Sequence, residues 1–160
     1  MGKIEYLKGD ATKPIGNGNK IIVHVCNDIG GWGKGFVLAI SNKWSAPEKK
    51  YREWYKEKNK FALGETQIVQ VEENIFIANM IGQSGIKKTK DKNNKSIPPI
   101  RYNAIEEALE KVAEFAVKNN ATVHMPRIGC GLAGGKWEYI EPILMKTLSS
   151  KKINSFVYDF

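Results

Sequence analysis

Alternating polar and apolar residues from Lys3 to Lys8, broken at Gly9-Asp10, predict a short strand that ends in a turn. Turn chemistry from Pro14 to Asn19 then delivers the chain into Ile21–Cys26, a continuous β-branched run that reads as a strand buried on both faces. Asn27 to Gly35 is too glycine-rich for regular structure, and Phe36, Ala39, Ile40 and Lys43 follow at helical spacing. Ser45 with Glu48 three residues on is a capping-box pattern, and Tyr51, Trp54, Tyr55 and Lys58 continue a second helix. Gly64–Val71 and Asn74–Met80 flank a polar turn and predict a hairpin. Asn103 with Glu106 is a further capping pattern, opening a helix whose apolar stripe is Ile105, Ala108, Leu109, Val112, Ala116 and Val117. A short strand, Thr122–Met125, leads into a second glycine-rich loop over Pro126–Gly135. A helix marked by Trp137, Ile140, Leu144 and Leu148 follows, with Pro142 expected to bend it, and Asn154–Asp159 closes the chain as a strand. Strands alternate with helices and a hairpin is embedded among the crossovers, so the fold class is α/β with a mixed central sheet.

Length and composition sharpen this picture. The 160 residues suit one domain over 1–160, and 42% hydrophobic against 26% charged residues is globular composition. No stretch approaches the roughly 20 apolar residues needed to cross a bilayer, and two cysteines, Cys26 and Cys130, make neither a disulfide framework nor a metal cluster. A cytoplasmic monomer without metal, cofactor or membrane partner is the expectation. The net charge of +8 and pI near 9.4 suit anionic partners. Much of the charge falls in Gly82–Pro99, where Lys87, Lys88, Lys90, Lys92 and Lys95 face one Asp91; this lysine-rich segment, 82–99, is expected as a flexible loop, either solvated or a lid. Because no aromatic residues interleave with these lysines, nucleic acid ranks below small anionic ligands as a partner.

Both glycine loops join the carboxyl end of a strand to a helix, where free backbone N–H groups and a positive dipole end favour phosphate. Neither fits a P-loop or the dinucleotide fingerprint. Two such loops on one chain point to a ligand carrying two phosphates.

HVCNDIGGWGKGFVLAISNKW, KGDAT near the start, MPRIGCGLAGGKWEYIEPIL and the terminal FVYDF together resemble the macrodomain family of ADP-ribose-binding modules. The resemblance implies a three-layer α/β/α fold and ADP-ribose or ADP-ribose-1″-phosphate as ligand. Within the family the motifs most resemble the ADP-ribose-1″-phosphate phosphatase branch, close to the terminal ADP-ribose glycohydrolases. Position by position it implies that Asp10 accepts a hydrogen bond from the adenine amine beside Ala11, and that Asn27 touches the distal ribose. Gly31, Trp32, Gly33, Lys34, Gly35 and Phe36 would wrap the distal ribose and a phosphate. Gly129, Cys130, Gly131, Leu132, Ala133 and Gly134 would hold the diphosphate, with Tyr158 and Phe160 as adenine-side aromatics.

The glycohydrolase branch carries a lysine after its hairpin strand and an aspartate after G-C-G-L. Here those places hold Gly82-Gln83 and Ala133, so a covalent lysine mechanism is not expected. Another hydrolase branch carries an aspartate in its first glycine loop, where this chain has Lys34-Gly35-Phe36. His24 is left as the titratable candidate, either a satisfied core histidine or a catalytic acid–base group with Asp28 as its partner. A thiolate phosphatase is rejected because Lys136 stands where Cys-x5-Arg would place arginine after Cys130. Hydrolysis of ADP-ribose-1″-phosphate is the first expectation; a non-catalytic ADP-ribose reader, or removal of ADP-ribose from macromolecules, is the alternative.

Overall fold

The computed structural model describes residues 1–160. Its main sheet has six strands in the order β1-β8-β7-β2-β4-β3. β1 (Ile4–Lys8), β8 (Ser155–Asp159), β7 (Thr122–Met125), β2 (Lys20–Asn27) and β4 (Ile75–Gln83) run parallel; β3 (Thr66–Glu72) pairs antiparallel with β4 as the predicted hairpin. β2, at the centre, is buried along nearly its whole length, as its β-branched run requires.

Side-chain alternation sorts the sheet into two faces. Ile21 and Val23 of β2, Ala78 and Met80 of β4 and Val123 and Met125 of β7 pack under α3 (Tyr102–Asn119) and α4 (Trp137–Thr147). Ile22, Cys26 and Ile77 point the other way, against Val37 and Ile40 of α1 (Phe36–Lys43) and Tyr51 of α2 (Ala46–Glu57). The result is the expected three-layer α/β/α sandwich. On the second face, beyond α1, the connection from β1 to β2 covers β8, burying Ala11 and Thr12.

Two capping expectations fail. Ser45 adopts helical dihedrals and makes no side-chain cap; Glu48 instead takes Ser41 Oγ at 3.0 Å and Arg52 Nε at 2.9 Å. α3 starts at Tyr102, one residue before Asn103, and Glu106 pairs with Lys146 of α4 at 2.9 Å. The stripe of α3 is buried apart from Val117, which is exposed, with Ala113 completing the buried face. α4 continues through Pro142. Within residues 82–99, expected as a flexible loop, Thr89–Lys90 (β5) and Ser96–Ile97 (β6) form a small antiparallel hairpin. Asp91 Oδ1 builds its turn by accepting the Asn93 and Lys95 N–H groups at 2.8 and 2.9 Å.

Candidate functional site

β2 and β7 are parallel neighbours, but the helices that follow them lie on opposite faces: α1 on one, α4 on the other. Their exit loops therefore diverge at the carboxyl edge and leave a crevice, the place where open α/β sheets hold ligands. A cavity of about 320 Å³ lies there. Lys34, Gly35 and Phe36 line one side, Gly129, Gly131, Leu132 and Ala133 the other, with His24, Gln83 and Arg127 among the remaining walls. In the first loop the N–H groups of Gly33, Lys34, Gly35, Phe36 and Val37 have no protein acceptor, and in the second the same holds for Gly131, Leu132 and Ala133. Unpaired donors on two facing loops, one row opening α1, form a cradle for an anion with two charged groups.

The loop shapes are set by side chains beneath them. Asn27, buried at the end of β2, accepts the Ile29 and Gly31 N–H groups at 3.0 and 2.9 Å and donates to Gly31 O at 3.0 Å. The Tyr51 hydroxyl donates to the Asn27 carbonyl at 2.6 Å. Asn27, which the resemblance sets at the distal ribose, thus also folds the loop. We expect Tyr51→Phe to lower unfolding free energy by about 1–2 kcal/mol, read by urea titration, because it strips a buried carbonyl of its donor.

Trp32 is 4% exposed and packs with Ile22, Ile40 and Tyr51 while Nε1 donates to Ser41 Oγ at 2.7 Å. It belongs to the core beneath the loop that the resemblance assigns to the distal ribose and a phosphate. Cys130 leans on the α3/α4 core and does not line the cavity; burial pushes its thiol up, against a lowering pull from Arg127. Gly134 closes the second loop by donating to Gly131 O at 3.0 Å, so it shapes the cradle and gives it no free donor.

His24 faces the α1 side, packed edge-on against Trp32 at 5.3 Å and tilted to Phe36 at 6.2 Å. Nε2 pairs with Asn79 Oδ1 at 2.6 Å, and the ring is 2% exposed. Burial, partly offset by Asn79, lowers its pKa to about 4. Asp28 is engaged elsewhere, accepting the Gly85 N–H on Oδ1 at 2.7 Å. The structure therefore does not build the expected His24–Asp28 pair; each side chain is held by a separate partner from β4 or just after it.

On the β1/β8 side, Asp10 Oδ1 accepts the Thr12 N–H and hydroxyl at 2.8 and 2.7 Å. Burial alone would raise this carboxyl; the Thr12 bonds, with Lys13 and Lys43 nearby, outweigh it and hold it below the usual range. Tyr158, expected to flank adenine, is buried, because the parallel pairing of β8 with β7 points it inward at His124. Its hydroxyl accepts the Ile15 N–H at 3.0 Å and meets His124 Nδ1 at 2.7 Å. Phe160 is fully outside the core at 96% exposure, free to cover a flat ligand group. Arg127 forms a two-pronged bond to Asp159 at 2.9 and 3.0 Å. Its guanidinium lies 5.1 Å from the centroids of both Tyr6 and Trp137. Gln83, which with Gly82 stands where the glycohydrolase branch carries its lysine, is a wall of the cavity, brought there by the parallel register with Asn27.

The macrodomain family profile matches residues 23–144, which contain both loops and the strands that carry them. The chain belongs to the macrodomain family. A Bacteroides thetaiotaomicron protein of known structure is 57% identical with a TM-score of 0.94, each chain covered over 99%. A Streptomyces coelicolor macrodomain protein is 49% identical with a TM-score of 0.86, again over 99% of both. Among curated relatives, mouse chromodomain-helicase-DNA-binding protein 1-like is 29% identical over 98% of this chain, which spans only 18% of that protein's length. The Candida albicans ADP-ribose 1″-phosphate phosphatase is 30% identical over 89% of this chain and 92% of its own. This macrodomain has no helix long and apolar enough to cross a membrane.

Proposed function

We propose that the crevice binds ADP-ribose and that the chain hydrolyses ADP-ribose-1″-phosphate. The two facing rows of unpaired backbone N–H groups carry the reading: they offer donors to both phosphates of a diphosphate. The match to a phosphatase along nearly its full length supports the reaction. Water attacks phosphorus, the bond from phosphorus to the 1″-oxygen breaks with its electron pair moving to that oxygen, and solvent supplies the proton that oxygen takes up. Lys34 and the N–H groups that open α1 offset the charge on the non-bridging oxygens. His24, neutral and held by Asn79, shapes the floor in this scheme.

A binding-only role is the second reading. It is favoured by a cavity lining that contains no carboxylate, hydroxyl or thiol side chain. Phosphate release from ADP-ribose-1″-phosphate separates the two: we expect turnover that survives His24→Gln once folding is verified. Micromolar ADP-ribose affinity by calorimetry with no phosphate release leaves the reader; no binding below millimolar ligand removes both.

A further inference from the structure

The lysines of 87–95 do not stand apart from the site. Gly85 donates to Asp28 of the first loop, and a Cβ placed on Gly31 would come within 3.1 Å of Ile86 Cδ1. At the other end of the hairpin, Ile100 donates to Ala133 O at 3.1 Å, and Pro98 lies where a Cβ on Gly134 would be, at 2.8 Å. The strands β5 and β6 are thus rooted on both cradle loops and project from the rim of the crevice. All five lysines are exposed and none forms an ion pair. Asp91, the only acidic residue among them, is exposed but has one carboxylate oxygen committed to the turn. The hairpin therefore displays a net four positive charges, half of the chain's +8, with no neighbour to neutralise them.

We propose that this hairpin is a docking surface for the phosphodiester backbone of a nucleic acid, lying beside the crevice. Lysine meets a phosphate as a point charge, without the directional bidentate grip that arginine gives a phosphate or a carboxylate. Apart from Ile86 and Ile97 at its two ends the hairpin carries no apolar side chain, so the surface lacks the continuous inserting face by which amphipathic segments enter a lipid interface. The missing aromatics exclude base stacking, and with it sequence preference, while leaving backbone contact intact. The contact stands on the hairpin alone and does not require that the crevice hold ADP-ribose.

The test is fluorescence anisotropy of the full chain with a labelled twenty-residue oligothymidylate at several salt concentrations. Micromolar binding is expected at low salt, weakening with a logarithmic slope of up to roughly 3.5, the value for five phosphates on a single strand. The variant with all five lysines changed to serine should bind at least tenfold more weakly, with a flatter salt slope and unchanged ADP-ribose titration. Unchanged oligonucleotide affinity in that variant overturns the proposal. So does tighter binding to phosphatidylserine vesicles or polyglutamate than to the oligonucleotide at equal charge. A Gly131→Glu protein, obstructed in the crevice, should still bind the oligonucleotide, so failure of the ADP-ribose reading and failure of this one are read separately.

Discussion

Gly131→Glu is expected to abolish ADP-ribose binding, with a loss of roughly 100-fold or more, while leaving the melting temperature within about 2 °C of the parent. Both halves follow from where the glycine lies. Its φ is not positive, and a Cβ there would meet no atom within 4 Å, so a side chain costs the fold little. The same open space is the cradle: Gly131 lines the cavity, and its N–H is one of the unpaired donors. A glutamate would fill the approach of the diphosphate and set a carboxylate against it, combining steric exclusion with like-charge repulsion. Loss of two charge-assisted hydrogen bonds alone is worth about 3 kcal/mol, which is about 100-fold in affinity. Gly129→Ala is the contrasting case. Gly129 has φ of +73°, and its Cβ would lie 2.6 Å from Ile100 Cδ1, so that variant should lose stability instead. Calorimetric titration with ADP-ribose and thermal melts on the two proteins check the pair. Undiminished affinity in Gly131→Glu would remove the second loop from the binding site.

The strands and the two loops were legible in the sequence because burial on two faces leaves a long β-branched run, and because glycine clusters mark backbone that must come close to something. What the sequence concealed depends on register and on contacts between distant elements. Ser45 and Asn103 have the right neighbours for caps, yet the chain enters both helices by other backbone paths. Tyr158 stands in an aromatic C-terminal motif, but pairing of His124 with Phe156 fixes the alternation that turns Tyr158 inward. Asn27 and Trp32 lie inside a ligand-like motif and serve it from below, one by hydrogen bonds and the other by packing. His24 and Asp28, four residues apart, read as a pair; β4 and the turn after it intervene and hold them separately. The choice between a solvated lysine run and one beside the phosphate loops was likewise not legible, because its anchors, Gly85 and Pro98, acquire meaning only once β4 and α3 bring both ends to the crevice.

A second large effect is expected in acid, where the protein should lose much of its stability between pH 6.5 and 4. Both histidines are buried and neutral. His124 bridges Thr122 Oγ1 and the Tyr158 hydroxyl, each at 2.7 Å, and its ring stacks on Phe156 at 4.8 Å. Burial, reinforced by Lys20, lowers its pKa to about 3, and His24 is lowered to about 4 by burial. An imidazole in the unfolded chain takes up its proton near pH 6.5. Between that pH and the folded values the unfolded state holds more protons, so stability falls as pH falls. The contribution is fully present above pH 6.5 and lost as pH drops through about 4 and then 3. At about 1.4 kcal/mol per pH unit, each histidine contributes on the order of 3–5 kcal/mol, comparable to the whole stability of an ordinary domain. Asp10 and Asp159, whose carboxyls are held below their usual range, add a separate loss that begins only near pH 4. Urea midpoints at pH 7.5, 6.5, 5.5 and 4.5 should therefore be level across the first two and fall steeply across the last two. The ring proton resonances of both histidines should stay unshifted down to the pH at which the protein unfolds. A midpoint independent of pH over this range, or a ring that titrates near 6.5 in the folded protein, would show that these imidazoles are solvated.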